Sequence, residues 1–138
     1  MDDAVRTVLE IAEDAPGRAH TVDITTTGAK SGEARRIEIW FYRVDGEYFL
    51  SRSPGLPTPA WYVNLVANPG FTFHLKNGAE ADLPAMAHVI TEPAERERIF
   101  TGIVAQLEHA MGPDRSGVHS QPTQAWVASS PLIRIEFA

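Results

Sequence analysis

The stretch Arg35-Arg36-Ile37-Glu38-Ile39-Trp40-Phe41-Tyr42-Arg43-Val44-Asp45-Gly46-Glu47-Tyr48-Phe49-Leu50-Ser51-Arg52 decides the fold. Ile37, Ile39 and Phe41 alternate with Arg36, Glu38, Trp40 and Tyr42, so one face of an extended strand is apolar and the other mixed. Asp45-Gly46 is a two-residue hairpin signal, because both positions tolerate the positive φ that a tight return requires. Glu47–Arg52 therefore runs back as an antiparallel neighbour.

Outward from this hairpin the pattern stays largely β. Upstream, Val22 and Ile24 followed by Thr25-Thr26-Thr27 predict a strand starting near Ala19, which the Gly28–Gly32 loop interrupts. Asp2 or Asp3 caps a first helix with Val5, Val8, Leu9 and Ala12 on one face, ending at Pro16-Gly17. Downstream, Ser53-Pro54-Gly55-Leu56-Pro57 cannot continue a ladder, and Thr58-Pro59 opens a helix of about two turns that stops at Asn68-Pro69. Phe71, Phe73 and Leu75 form a fourth strand. Asn77-Gly78 predicts a second tight hairpin, and Ala79–Ile90 a long strand in which Pro84 marks a bulge or an edge. Ile99, Ile103 and Leu107 at spacing four predict a helix from Glu92 to Met111, stopped by Gly112-Pro113. Asp114–Thr123 is polar and suits a mobile loop over a site. Ala125-Trp126-Val127 and the alternating Ile133, Ile135 and Phe137 read as a last strand or two. Six to seven antiparallel strands with three helices predict a mainly β, α+β domain spanning 1–138, whose sheet closes into a small barrel with peripheral helices.

The composition excludes several chemistries. The 138 residues suit one domain, and the absence of cysteine removes disulfides, thiolate metal sites and a cysteine nucleophile. The five histidines show no metal-binding spacing and no Gly-x-Ser-x-Gly elbow occurs, so neither a metal centre nor a serine hydrolase is supported. A net charge of −6 makes nucleic acid a poor partner. No stretch is long and apolar enough for a membrane helix, and the acidic start Met1-Asp2-Asp3 is unlike a signal peptide. The expectation is a cytoplasmic protein, monomeric or homodimeric, acting on a small molecule. The charge is uneven. Residues 21–78 carry 6 bases and 5 acids, against 2 and 5 before them and 4 and 8 after them. An anionic ligand belongs in that middle section.

The loop Gly28-Ala29-Lys30-Ser31-Gly32-Glu33-Ala34-Arg35 has the parts a phosphate needs. Glycines permit close backbone approach, Ser31 and the amides donate hydrogen bonds, and Lys30, Arg35 and Arg36 supply charge. The bland alternative is a connecting loop with solvated cations. Trp40, Tyr42, Trp61, Tyr62 and Trp126 are enough aromatic surface to wall a flat conjugated ligand, or simply to pack a core. Glu38 reads either as a pocket acid or as a paired surface carboxylate.

Two of these stretches, Thr25-Thr26-Thr27-Gly28-Ala29-Lys30-Ser31-Gly32 with Arg35, and Pro59-Ala60-Trp61-Tyr62-Val63-Asn64-Leu65-Val66-Ala67-Asn68-Pro69, together resemble the deazaflavin-dependent nitroreductase family. The resemblance runs from about Thr21 to Leu75 and continues more weakly to the C-terminus. It implies a split β-barrel of the FMN-binding type and the deazaflavin coenzyme F420 as cofactor. It further implies that Lys30, Ser31, Gly32, Arg35 and Arg36 face the coenzyme's anionic part, with Ser51-Arg52 where the family often has Ser-Lys. Trp61 would edge the pocket and Trp40 would line the substrate side. Ser51 is a candidate for a hydrogen bond to the ring or for delivering a proton, with water or a tyrosine as the alternatives. The implied reaction is hydride transfer to an electron-poor double bond, a quinone or a nitro compound. Two alternatives stay open: a split barrel that carries FMN or haem, and a non-catalytic member that binds a small molecule.

Overall fold

The structure is a computed structural model and describes residues 1–12, 14–111 and 122–138, the Met111 side chain excepted. Six strands form a closed antiparallel barrel: β1 (Thr21–Thr27), β2 (Ala34–Val44), β3 (Glu47–Ser51), β4 (Gly70–Leu75), β5 (Ala81–Val89) and β6 (Leu132–Phe137), in the spatial order β1-β2-β3-β6-β5-β4. β4 hydrogen-bonds back to β1 and completes the ring, so no long edge is left to template aggregation. The decisive hairpin folds as its sequence predicts. Val44 pairs with Glu47, and Asp45 and Gly46 take φ of 52° and 79°.

Alternation along the strands sorts side chains into two cores. Val22, Ile24, Phe41, Leu50, Phe73 and Ile133 point into the barrel, where the Phe41 and Phe73 rings meet edge-on at 5.2 Å. Each such burial is worth about 1.5–3 kcal/mol. The opposite faces of β2, β3 and β6 offer Tyr42, Val44, Phe49 and Leu132 to the long helix α4 (Pro93–Met111), counted after α1 (Asp3–Leu9), α2 (Gly17–His20) and α3 (Ala60–Ala67). On α4, Ile99, Ile103 and Leu107 lie on that face at their expected spacing. Gly102 allows the close approach, since a Cβ there would lie 2.8 Å from Val44 Cγ1.

The structure differs from the sequence expectation in four places. Ala125-Trp126-Val127 lies in a helix, α5 (Thr123–Ser129), rather than in a strand. An apolar triplet is too short for periodicity to decide, and the deciding contact is distant. Arg96 of α4 donates to the carbonyls of Val127 at 3.0 Å and Ser130 at 2.5 Å, satisfying groups that a helix end leaves open. Pro84 is neither bulged nor on an edge strand. It pairs with Thr72, and its carbonyl accepts the Ala138 amide at 3.1 Å, so it stands at the end of the β5–β6 ladder, where the missing N–H interrupts no bond between the two strands' paired residues. The connection at Asn77-Gly78 spans residues 76–80 and is not a two-residue turn. The first helix ends at Leu9, and the chain adds the single turn α2 before β1 begins at Thr21. Five helices thus surround six strands among the described residues. The expected mobile loop Asp114–Thr123 lies outside them but for Pro122 and Thr123.

Candidate functional site

The loop between β1 and β2 is a compact turn. The Gly28 amide donates to Glu33 O at 2.8 Å, the Gly32 amide to Gly28 O at 3.0 Å, and the Glu33 amide to Ser31 Oγ at 3.2 Å. Gly32 holds φ at 70°, a conformation that favours glycine. A Cβ on Gly28 would lie 2.5 Å from Ser31 Oγ, so a side chain there would displace Ser31.

Helix α3 fastens this loop to the barrel through Asn64. Its Oδ1 accepts the Ala29 amide at 2.9 Å, and its Nδ2 donates to Thr26 Oγ1 at 3.2 Å. Between loop and helix lies a cleft of about 490 Å³. Lys30, Ser31 and Arg35 line one side, Ala60, Trp61 and Val63 the other, and Ile37 lies among them. Lys30 makes no ion pair among the described residues, and Arg35 pairs with Glu33 at 3.2 Å, both side chains being exposed. Two cations, a hydroxyl and an apolar wall make a donor set that fits an anionic ligand carrying a flat apolar part.

Trp61 also borders a second cavity of about 360 Å³, lined by Trp40, Tyr42, Ser51, Arg52 and Trp126. The two spaces adjoin at this indole. Trp40 is held in place by His20, whose ring stacks on it at 5.4 Å between centroids and 19° between planes, and by the backbone of Gly17, where a Cβ would meet the indole at 2.7 Å. His20 is fully buried with Nδ1 2.9 Å from Phe41 O, which makes Nδ1 the protonated nitrogen. Burial holds its imidazole below the usual range, backbone hydrogen bonds opposing only in part. Burial likewise pushes the Tyr42 phenol up.

Lys30, Ser31, Arg35 and Trp61 thus meet in one cleft, and Ser51, Arg52, Trp40 and Trp61 in the next. Gly32 shapes the loop without lining either space. Arg36 does not join them. It follows Arg35 on a strand and so points to the opposite face, where its Nε donates to Asp23 at 3.0 Å. On that outer surface Lys76 bridges Asp23, at 2.7 Å, and Glu38, so Glu38 is a paired surface carboxylate and not a pocket acid. The Lys76 hydrogen bond, ahead of Arg36, keeps the Asp23 carboxyl below its ordinary range. Ser51 is committed elsewhere too, since its hydroxyl donates to Pro131 O at 2.6 Å. Arg52 donates to Pro57 O at 3.1 Å and braces the proline loop beside the cavity.

Sequence reasoning missed Asn64 as the residue that anchors the loop. The signal was present: Trp61, Asn64 and Leu65 stand at i, i+3 and i+4, which puts an amide on the buried face of a short helix. Among the described residues no cluster of three metal-ligating side chains occurs, and no helix is long and apolar enough to cross a membrane.

Similar folds occur in solved structures. A conserved hypothetical protein from Mycobacterium tuberculosis is 20% identical over 99% of this chain and 81% of its own, with a TM-score of 0.63. An F420-H2-dependent reductase, FDR-A, is 24% identical over 85% of this chain and 94% of its own, with a TM-score of 0.54. HutZ, the haem storage protein of Vibrio cholerae, is 16% identical over 86% of this chain and 82% of its own, at 0.57. These likenesses establish the split barrel. Residues 4–116 match the sequence profile of the F420H(2)-dependent quinone reductases, a span that takes in the loop, the cleft and α3. The chain accordingly belongs to the F420H(2)-dependent quinone reductase family and is an F420-dependent oxidoreductase.

Proposed function

We propose that this chain binds the deazaflavin coenzyme F420 with its phosphate at Lys30, Ser31 and Arg35 and its ring beside Trp61, and reduces an electron-poor double bond, a quinone or a nitro compound held in the second cavity. The observation that carries this reading is the meeting of the cationic loop and Trp61 in one cleft that adjoins an aromatic-lined cavity. When bound, the reduced coenzyme supplies the hydride.

The protein's own part is positioning. Lys30 and Arg35 neutralise the anionic group, and Asn64 keeps the loop from moving away. Trp61 and Trp40 offer flat apolar walls that exclude water and limit the orientations of the acceptor. Ser51 takes no part in proton delivery in this reading, because its hydroxyl proton is held by Pro131.

Anaerobic mixing of the protein with the reduced coenzyme and a benzoquinone tests the reading. The expected result is consumption of one coenzyme per quinone, read from the return of the oxidised absorbance. No consumption with a quinone, an enone or a nitroarene contradicts it.

A further inference from the structure

Helix α5 is two turns long, and one side chain from another element holds its C-terminal end. Arg96 of α4 donates from Nε to Val127 O at 3.1 Å, and from Nη2 to Trp126 O at 3.5 Å, Val127 O at 3.0 Å and Ser130 O at 2.5 Å. Its Nη1 donates to Ile90 O at 3.0 Å, just past the end of β5. One guanidinium thus ties α4 to the end of β5, to the last turn of α5 and to the residues that lead into β6. Every one of these acceptors is a backbone carbonyl, and the rigid fork of arginine reaches them together, which a lysine ammonium cannot do. The guanidinium carbon also lies 5.1 Å from the centre of the Phe100 ring, and that ring lies 5.9 Å from the Trp126 ring. Arg96 itself lines neither the cleft nor the second cavity. What it grips does: Trp126 lines the second cavity, and so does Ser51, whose hydroxyl is held by Pro131, the neighbour of Ser130.

We propose that Arg96 is a positioning residue for the acceptor: by gripping the carbonyls of Trp126, Val127 and Ser130 it sets where the Trp126 indole stands in the wall of the second cavity. This rests on the hydride-transfer reading above, in which that cavity holds the acceptor. A wall residue is only as well placed as the contacts behind it, and a small displacement of a wall costs binding of whatever rests against it. The coenzyme cleft lies on the other side of Trp61 and has its own anchor in Asn64. The clamp therefore acts on the acceptor and leaves the coenzyme alone.

The test measures reduction of tetramethylbenzoquinone by the full chain at saturating reduced coenzyme, well below the unfolding midpoint of each variant. Arg96→Lys keeps the charge and the apolar stem but gathers the donors on one nitrogen. The expected result is a KM for the quinone raised about fivefold or more with kcat within about threefold, while the coenzyme Kd stays within about a factor of two. A clamp that only holds the fold together would lower the urea midpoint and leave the quinone KM where it was, or weaken quinone and coenzyme alike; either outcome overturns the proposal. In the unsubstituted protein with oxidised coenzyme bound, adding the quinone should slow solvent exchange of the Arg96 Nε–H, because a contact that favours the acceptor is favoured by it in return. An exchange rate indifferent to the quinone overturns the proposal without any variant. Trp40→Leu, which alters the cavity wall directly, separates the two readings. A raised quinone KM in Trp40→Leu but not in Arg96→Lys removes only the clamp, whereas an unchanged KM in both removes the second cavity as the acceptor's place.

Discussion

Asn64 of helix α3 accepts the backbone amide of Ala29 at 2.9 Å, and through this bond the short helix holds the cationic loop against the barrel. The same side chain donates to Thr26, itself 2% exposed. Asn64→Leu keeps the branching at Cγ but leaves the Ala29 amide without its acceptor and Thr26 Oγ1 without its donor. The variant should lose about 1–3 kcal/mol of stability and bind coenzyme more weakly, as read by urea denaturation and by coenzyme titration. Unchanged values in both would remove Asn64 from its anchoring role.

Arg35 and Arg36 are adjacent in sequence and differ in where they point. Lys30→Ala and Arg35→Ala should each weaken coenzyme binding about tenfold, and the effect should shrink in high salt as the charges are screened. Arg36→Ala removes a surface pairing with Asp23 and should leave affinity within a factor of two, a surface ion pair being worth at most about 1 kcal/mol. An Arg36 variant as impaired as the Arg35 variant would contradict the assignment of faces.

His20 makes stability depend on pH. Burial keeps the folded imidazole below the usual range, so the folded state resists protonation while the unfolded chain takes up a proton as the pH falls through about 6.5. The contribution of His20 is therefore complete above that pH and declines below it until the folded form is also protonated. Urea midpoints should fall between pH 7.5 and 5.5, and His20→Gln should flatten the dependence. Asp23 acts lower: its depressed carboxyl pKa contributes stability that is complete above the ordinary carboxylate range and is lost in stronger acid. A pH response in His20→Gln as steep as in the unsubstituted protein would assign the effect to another group.

Gly102 sits where α4 crosses β2. Adding a methyl group there meets Val44 Cγ1 at 2.8 Å and Cγ2 at 2.9 Å, and both lie in a packed core. Gly102→Ala should cost about 1–3 kcal/mol despite the better helix propensity of alanine. Val44→Ala in the same chain should recover part of the loss, since it empties the space the methyl group needs. Absence of any recovery in the double variant would show that the cost arises elsewhere.

The barrel was legible because its information is local. Alternation in β2 and the Asp45-Gly46 turn set the decisive hairpin, and both are properties of consecutive residues. The cleft was legible in part for the same reason: Lys30 and Ser31 on the loop and Arg35 at the start of β2 lie close together in sequence, and the two cations stand out against an acidic chain. Arg36 groups with the loop cations only by its charge; it already falls on the strand alternation read from Arg35 to Val44, and that alternation turns it to the face opposite Arg35. Trp126 was placed in a strand because its helix depends on Arg96, about 30 residues away, to satisfy its terminal carbonyls. Ser51 illustrates the limit most plainly. Its hydroxyl is paired with Pro131, which enters the neighbouring strand β6 some 80 residues later, a relationship no local pattern carries.

The central claim is that the Lys30 cleft is a deazaflavin site, and equilibrium titration of the protein with F420, FMN and haem, followed by fluorescence and absorbance, tests it most directly. The account predicts saturable micromolar binding of F420, weaker in Lys30→Ala and Arg35→Ala and intact in Arg36→Ala. Saturable binding of FMN or haem with none of F420, or F420 binding indifferent to both Lys30 and Arg35, would contradict it.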